Sequence, residues 1–224
     1  MSARPPLLPW PPGLKRLLQT DPAYAGALLQ AFQKALDLNS DGIELDVHLS
    51  TDQHIIVIHD ETIDKMTNGK GFVNTLSLQE LKTFRINEKQ ASELKQQIPT
   101  LNEVFDLVNQ TCFINIELKG KGTASAVVAL IEKYIWEKNW KYANFLISSF
   151  DLNAVQEVRF LNENIPIGIL TETNLDLAFS FAKFMKAEAI HPEFHLLTQD
   201  NTAQIQAKGI QVFPWTVNEY EAIQ

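Results

Sequence analysis

From residue 41 onward, short apolar runs alternate with segments in which apolar residues repeat every three or four positions. Such an alternation is typical of βαβ units, which build a doubly wound parallel sheet or an α/β barrel. The helical segments carry core-facing stripes, for example at Leu29, Phe32 and Leu36. Six runs are predicted as strands: GIELDVHL (42–49), FINIELK (113–119), FLISSF (145–150), IPIGIL (165–170), AEAIHPEF (187–194) and IQVFPWTVN (210–218).

A seventh run, HIIVIHD (54–60), follows the first run after only Ser-Thr-Asp-Gln. A connection this short cannot cross over to a parallel neighbour, so the two runs are predicted to form a hairpin. The alternation then breaks over residues 61–111, which hold a Thr-Asn-Gly-Lys-Gly turn, a polar helix near 77–84 and a Lys/Gln/Glu-rich stretch. We expect this segment to be a small insertion over one end of the barrel.

The composition narrows the possible functions. With 224 residues, of which 45% are hydrophobic and 21% charged, the chain resembles an ordinary soluble protein with one domain. A net charge of −8 argues against nucleic-acid binding and favours a small-molecule partner. No run approaches the roughly 20 apolar residues of a membrane span. The only cysteine, Cys112, lies in an apolar context, which fits a reducing compartment, and we expect the cytoplasm.

The first residues, MSARPPLLPWPPG, contain five of the ten prolines and no uninterrupted apolar segment. We therefore expect an irregular, proline-rich arm over residues 1–25 and the barrel domain over residues 26–224.

Acidic residues alternate with apolar ones in two of the predicted strands. In the first, Glu44 and Asp46 share a face, which places their carboxylates within about 7 Å of each other. Glu117 stands between apolar neighbours near the carboxyl end of another strand, where α/β barrels build their sites. Close carboxylates favour a bound cation, and oxygen ligands favour Mg²⁺ or Ca²⁺ over Zn²⁺. Taken singly, each acid could instead cap a helix or form a salt bridge.

Two further side chains are expected at the same rim. His59 ends an apolar strand, a position suited to a general acid or base, although a histidine there could equally be structural. Lys119 lies two residues after Glu117 on the same strand face and could neutralise a phosphate oxygen; alternatively it is a solvated charge beside Lys121.

The segment AFQKALDLNSDGIELDVHLSTDQHIIVIHDETIDKMTNGKG, followed by IPTLNEVFDLV, NIELKGKG, ISSF and WTVN, resembles the glycerophosphodiester phosphodiesterase family from residue 31 to residue 224. The resemblance implies a triosephosphate-isomerase-type, or TIM (β/α)8-type, barrel. In this family a metal ion binds the glycerophosphodiester, and water releases an alcohol and leaves sn-glycerol 3-phosphate.

The resemblance also implies roles for individual residues. The metal ligands fall on Glu44, Asp46 and Glu117, and one of two catalytic histidines falls on His59. Lys119 matches a basic residue near the phosphate. Trp215 matches an aromatic residue that could pack on the glycerol or the alcohol, although an aromatic residue in a strand is more often part of the core.

The amino-terminal motifs of the family, His-Arg-Gly and Pro-Glu-Asn-Thr, do not occur in this sequence. The histidine is expected between Lys15 and Leu18, and the metal-binding glutamate near Gly26. A family-type final strand is not found before Gln224, which we expect to lie in a helix capped by Asn218. We therefore expect the barrel to be incomplete at its first and last strands and the activity to be impaired.

Three functions are compatible with these features. The first is a metal-dependent glycerophosphodiester hydrolase. The second is a catalytically inactive barrel that binds a phosphorylated ligand or a protein, which would be distinguished by a failure to bind the metal. The third is a barrel lyase or phospholipase that uses the substrate's own hydroxyl, which would produce a cyclic phosphate.

Overall fold

The computed structural model describes residues 17–19, 28–86 and 97–217, with the backbone alone at 17–19. The strands are β1 (Leu17–Gln19), β2 (Gly42–Leu49), β3 (Ile55–Val57), β4 (Phe113–Leu118), β5 (Phe145–Ser149), β6 (Ile167–Thr171), β7 (Ala189–Pro192) and β8 (Gln211–Val212). The α-helices are α1 (Leu28–Asp37), α2 (Leu78–Leu81), α3 (Leu101–Val108), α4 (Thr123–Lys138), α5 (Leu152–Leu161), α6 (Leu175–Met185) and α7 (Gln199–Gln206).

The strands form one sheet in the order β1-β2-β4-β5-β6-β7-β8, and all neighbours along this path are parallel. A TIM-type barrel has this succession of parallel strands joined by helices. In the described part of the chain β1 and β8 stand at the two ends of the sheet, so the ring is not closed there. The prediction of a barrel incomplete at its ends is confirmed.

The first position of the sheet is occupied, although by only three residues. Leu17–Gln19 form β1 and pair in parallel with β2, with Gln19 opposite Glu44. These residues lie within the segment expected to be an irregular arm, and the first strand is present only in this short form. Three residues are too few to show a hydrophobic period, which is why the pattern gave no signal. Lys15, Gly26 and the predicted cap Asn218 lie outside the described residues.

The hairpin that we expected after β2 is confirmed. β3 pairs antiparallel with β2, with Val47 opposite Val57 and Leu49 opposite Ile55. After the hairpin, the segment expected as an insertion contains α3, which starts at a capping box formed by Thr100 and Glu103. α3 buries Leu101, Val104, Phe105 and Val108 and supplies the crossover from β2 to β4.

Alternation along the strands divides the apolar residues into two sets. Ile114, Ile116 and Leu118 of β4 belong to the large core between the sheet and the helices, as do the isoleucines of β5, β6 and β7. A smaller cluster on the opposite face contains Phe113, Leu146 and Ala189. That inner face carries the polar residues described below. Cys112 is buried, which raises the pKa of its thiol to about 11.

Candidate active site

The three predicted metal ligands lie side by side on the inner face of two adjacent strands. In the β2–β4 register Asp46 is opposite Glu117, and Glu44 is opposite Asn115. One carboxylate oxygen from each of Glu44, Asp46 and Glu117 lies within 4.8 Å of the others. All three side chains are buried, with at most 8% of each residue exposed. The sheet therefore brings together acids that are far apart in the chain, with 73 positions between Glu44 and Glu117.

Burial and mutual repulsion disturb the ionisation of these acids. Burial, followed by the charges of Asp46 and Glu117, raises the pKa of Glu44 well above its usual value. Burial also raises the pKa of Asp46, although Lys119 partly offsets it. The pKa of Glu117 rises to about 7 through burial and the charge of Asp46. A cation between the three oxygens would remove this repulsion.

The donor set fits a hard divalent ion. Three carboxylates supply only oxygen atoms, which Mg²⁺ and Ca²⁺ prefer. The side-chain oxygen of Asn115, opposite Glu44, is buried and has no hydrogen-bond partner within the described residues. A further buried oxygen beside the carboxylates is consistent with a site built for a cation or its water ligands.

Lys119 joins the acids to the predicted catalytic histidine. Its Nζ lies 3.5 Å from Asp46 Oδ1 and 3.4 Å from Glu117 Oε1. Its distance to His59 Nε2 is 3.2 Å. Burial opposes the charge on Lys119, but the two carboxylates outweigh it and raise its pKa. Lys119 is therefore a positive charge at the junction of the acids and the histidine.

His59 is oriented by the residue that follows it. Its Nδ1 lies 2.9 Å from Asp60 Oδ1, and Asp60 also bonds to Lys65 at 2.9 Å. The hydrogen bonds from Lys65 and His59 lower the pKa of Asp60, so this carboxylate is an acceptor. An ammonium group can only donate, so His59 Nε2 accepts from Lys119 and Nδ1 donates to Asp60. We did not identify Asp60 from the sequence, where His-Asp at a strand end is an unremarkable pair.

His48 holds the hairpin end that carries His59. Its Nε2 lies 3.2 Å from the carbonyl oxygen of His59, and burial lowers the pKa of the His48 ring. Gly120 leaves space for this ring, because a Cβ at that position would lie 3.0 Å from the His48 Cα and 3.3 Å from its Nδ1. His48 thus helps to place the imidazole of His59 at the same rim as the carboxylates.

Trp215 follows β8, the last strand of the sheet. Its ring meets that of Phe150 at 5.7 Å between centroids and an angle of 88°. Its indole Nε1 donates to the carbonyl oxygen of His191 at 2.9 Å. The side chain of His191 is buried, and a Cβ on Gly168 would lie only 2.6 Å from its Nε2. His195 is exposed and pairs with Glu193 at 2.8 Å.

The chain is similar in sequence to known phosphodiesterases. A model described as the glycerophosphoryl diester phosphodiesterase family matches residues 28–224. A glycerophosphodiester phosphodiesterase of Caldanaerobacter subterraneus is 35% identical in an alignment of 206 positions that covers 88% of this chain and 82% of that protein. One from Bacillus altitudinis is 32% identical over 90% of this chain and 84% of its own length.

Solved structures show the same fold. An Oleispira antarctica phosphodiesterase in complex with the product sn-glycerol 3-phosphate superposes with a TM-score of 0.80 at 21% identity, covering 92% of this chain and 86% of the other. A glycerophosphodiester phosphodiesterase from Thermotoga maritima gives a TM-score of 0.71 at 26% identity, covering 92% and 87%. Within the described residues, no helix is both long and apolar enough to cross a membrane.

Proposed function

The chain belongs to the glycerophosphoryl diester phosphodiesterase family, and on this basis we propose that it hydrolyses glycerophosphodiesters to an alcohol and sn-glycerol 3-phosphate with the aid of Mg²⁺ or Ca²⁺. The observation that carries this proposal is the contact of Lys119 with both Asp46 and Glu117 on one side and with His59 on the other. The proposed cation ligands, the proposed phosphate-binding charge and the proposed proton-transfer group are thus linked by one set of contacts.

Glu44, Asp46 and Glu117 would hold the cation through their carboxylate oxygens. A divalent ion at this point would neutralise charge on a phosphodiester and orient it. Lys119 supports the same task, since its ammonium group can donate to a phosphate oxygen once the carboxylates are engaged elsewhere. Both groups stabilise the negative charge that develops on the phosphoryl oxygens during displacement.

His59 is the proposed proton-transfer residue. Its Nε2 faces Lys119, on the side where the phosphate would bind, while Nδ1 is held by Asp60. With a proton on Nε2 as well as on Nδ1 the ring is positively charged, and Asp60 stabilises this charge; transfer of the Nε2 proton to the departing alcohol oxygen then leaves a neutral imidazole. Trp215 would pack against the glycerol or the alcohol of the substrate.

The absence of the His-Arg-Gly and Pro-Glu-Asn-Thr motifs is the reason to expect a reduced rate of hydrolysis. No histidine precedes His48 in the sequence, so a partner for His59 does not come from the first strand. Loss of one general acid or base typically lowers a rate by about 10²- to 10⁴-fold. Should the rate fall to the uncatalysed level, the chain would be a phosphate-ligand or protein-binding barrel instead. The cytoplasmic location remains a prediction.

The test is to incubate the chain with glycerophosphocholine and either Mg²⁺ or Ca²⁺ and to assay sn-glycerol 3-phosphate. We expect product with the ion, none with a chelator, and strong losses in Glu44→Ala and His59→Ala. His54→Ala, an exposed histidine of the same hairpin, is the matched control. Turnover that survives both active-site changes would refute the assignment. A cyclic phosphate product would identify a lyase-type reaction, and ion binding without turnover would identify a binding protein.

A further inference from the structure

Three exposed aromatic residues occupy equivalent places on three consecutive helices. Trp136 of α4, Phe160 of α5 and Phe184 of α6 are 87%, 88% and 75% exposed. Each of them follows the last buried residue of its own helix by two positions; these buried residues are Tyr134, Val158 and Ala182. Two positions turn an α-helix by about 200°, so all three rings point away from the core.

The three rings lie at one edge of the molecule, which we call the aromatic edge. Each of these helices leads from the carboxyl end of one strand to the amino end of the next parallel strand. Their last turns therefore lie at the amino ends of the strands, opposite the end that carries Lys119 and His59. α4 packs against α5, and the strand order β5-β6-β7 places α6 next to α5. With neighbouring helices about 10 Å apart, the aromatic edge spans about 20 Å.

The apolar area of the aromatic edge is large for the surface of a monomer. A large aromatic side chain can bury about 150–250 Å² when it is covered, so the three rings together offer several hundred Å². The largest apolar patches of monomeric proteins have a similar area, about 300–600 Å², and often bind a partner. Leu161, next to Phe160, is also exposed and adds to this area. The aromatic edge is therefore a candidate binding surface.

The charges beside the aromatic edge are mainly positive. The exposed lysines at the ends of α4 and α6 and just after them are Lys138, Lys141, Lys183 and Lys186. Two exposed acids, Glu137 and Glu163, accompany them among residues 136–141, 160–164 and 183–186. The helix dipole alone favours lysine at such positions, so the aromatic residues indicate the surface and the lysines indicate its partner. In a chain with a net charge of −8, this edge is locally positive.

An anionic bilayer fits these features better than a second copy of the chain. A two-fold contact through this edge would bring the lysines of both copies together, and like charges that meet in an interface are unfavourable. The rings also stand on three separate helices, so they do not form one flat patch. In a bilayer each ring can enter the interfacial layer by itself, while lysines nearby contact the anionic headgroups.

We propose that the aromatic edge binds the surface of a membrane that contains anionic phospholipids. The end of the sheet that carries the candidate active site then faces the aqueous phase. The excess negative charge of the rest of the chain is repelled by the headgroups and favours the same orientation. This inference goes beyond the proposed function and does not depend on hydrolysis, because an inactive chain would present the same surface.

The test is co-sedimentation of the full chain with vesicles of phosphatidylcholine that contain about 30% phosphatidylglycerol. We expect binding to these vesicles, and at least about 10-fold weaker binding to vesicles of phosphatidylcholine alone. The triple variant Trp136→Ser, Phe160→Ser and Phe184→Ser should bind the anionic vesicles about 100-fold more weakly, since each ring contributes about fivefold when half of its area is buried. Phe72→Ser, at a half-exposed aromatic residue after β3, is the matched control.

Two further variants separate the roles of charge and of ring insertion. Lys138→Gln combined with Lys183→Gln should weaken binding to anionic vesicles by about 10-fold and leave binding to phosphatidylcholine unchanged. Trp136→Phe keeps an aromatic ring, so it should still bind. Acyl chains that carry bromine should quench more fluorescence in the unmodified chain than in Trp136→Phe, because the indole at position 136 enters the bilayer.

Three results would overturn the inference. The first is no binding of the folded chain to the anionic vesicles at low salt. The second is binding that the triple serine variant retains in full while circular dichroism shows the native fold. The third comes from sedimentation velocity: if the unmodified chain is a dimer without affinity for vesicles and the triple variant is a monomer, the aromatic edge is a contact between two copies of the chain.

Discussion

Glu117→Gln should stabilise the metal-free chain at alkaline pH while weakening its response to Ca²⁺ or Mg²⁺. The pKa of Glu117 rises from its ordinary value of 4.5 to about 7. The folded chain therefore binds more protons than the unfolded chain between these values, and its stability falls as the pH rises from 4.5 through 7. The full difference corresponds to about 3 kcal/mol of unfolding free energy.

Glutamine removes this ionisation but keeps the shape of the side chain. It also removes one partner of Lys119, which lies 3.4 Å from Glu117 Oε1, so part of the gain is lost. We expect a net gain of about 1–3 kcal/mol above pH 7 and little change near pH 5. In the unmodified chain, an ion at 100 times its dissociation constant should add about 2.7 kcal/mol, and the variant should lose most of this increment.

Urea unfolding with a chelator, at about pH 5 and about pH 8, measures the pH-dependent gain in stability. The same titration with millimolar Ca²⁺ measures the stabilisation by the ion. Glu137→Gln, an exposed acid on α4, serves as the control for the substitution itself. If Glu117→Gln alters the difference in stability between the two pH values no more than Glu137→Gln does, the buried repulsion is not present. If Glu117→Gln keeps the full stabilisation by Ca²⁺, Glu117 is not a ligand.

Three further changes test other parts of the site and its support. Asp60→Asn should reduce kcat by about 10- to 100-fold, less than removal of His59, because it loosens the imidazole without deleting it; an unchanged kcat and pH profile would exclude a positioning role. Lys119→Met should raise KM by about 10-fold or more, since a charged hydrogen bond to phosphate is lost; a variant with unchanged KM would contradict phosphate binding. Burial lowers the pKa of His191 to about 3. The unfolded chain thus takes up the proton first, and the His191 contribution to stability should fall by about 2 kcal/mol from pH 6.5 to pH 5, opposite in sign to the Glu117 contribution. His191→Gln should remove this loss in urea titrations, whereas the exposed-site control His54→Gln should keep it, and a loss that persists in His191→Gln would point to another group.

Several parts of the site could be predicted because they depend on local periodicity. Alternation in β2 placed Glu44 and Asp46 on one face, and the short connection before β3 required a hairpin. Glu117, His59 and Lys119 were predicted from their positions near strand ends, and the resemblance assigned a role to each of them. None of these arguments supplies the register between β2 and β4, which decides that Asp46 lies opposite Glu117. Register results from packing of the whole sheet and is not visible in one strand.

Other features depend on long-range closure and could not be predicted. Phe150 and Trp215 are 65 positions apart in the chain and touch only because the sheet curves. The bond from Asp60 to His59 depends on the turn that follows β3, where strand periodicity has ended. β1 could not be predicted because its residues show no pattern of their own, and only pairing with β2 stabilises the strand.

The close approach of Gly168 and His191 has an evolutionary consequence. The imidazole occupies the volume that any side chain at position 168 would need, since a Cβ there would fall 2.6 Å from Nε2. Neither position can change freely while the other is retained. Related sequences with alanine or a larger residue in place of Gly168 should therefore carry a smaller residue in place of His191. The pair should change together, so its history would be visible as covariation among relatives.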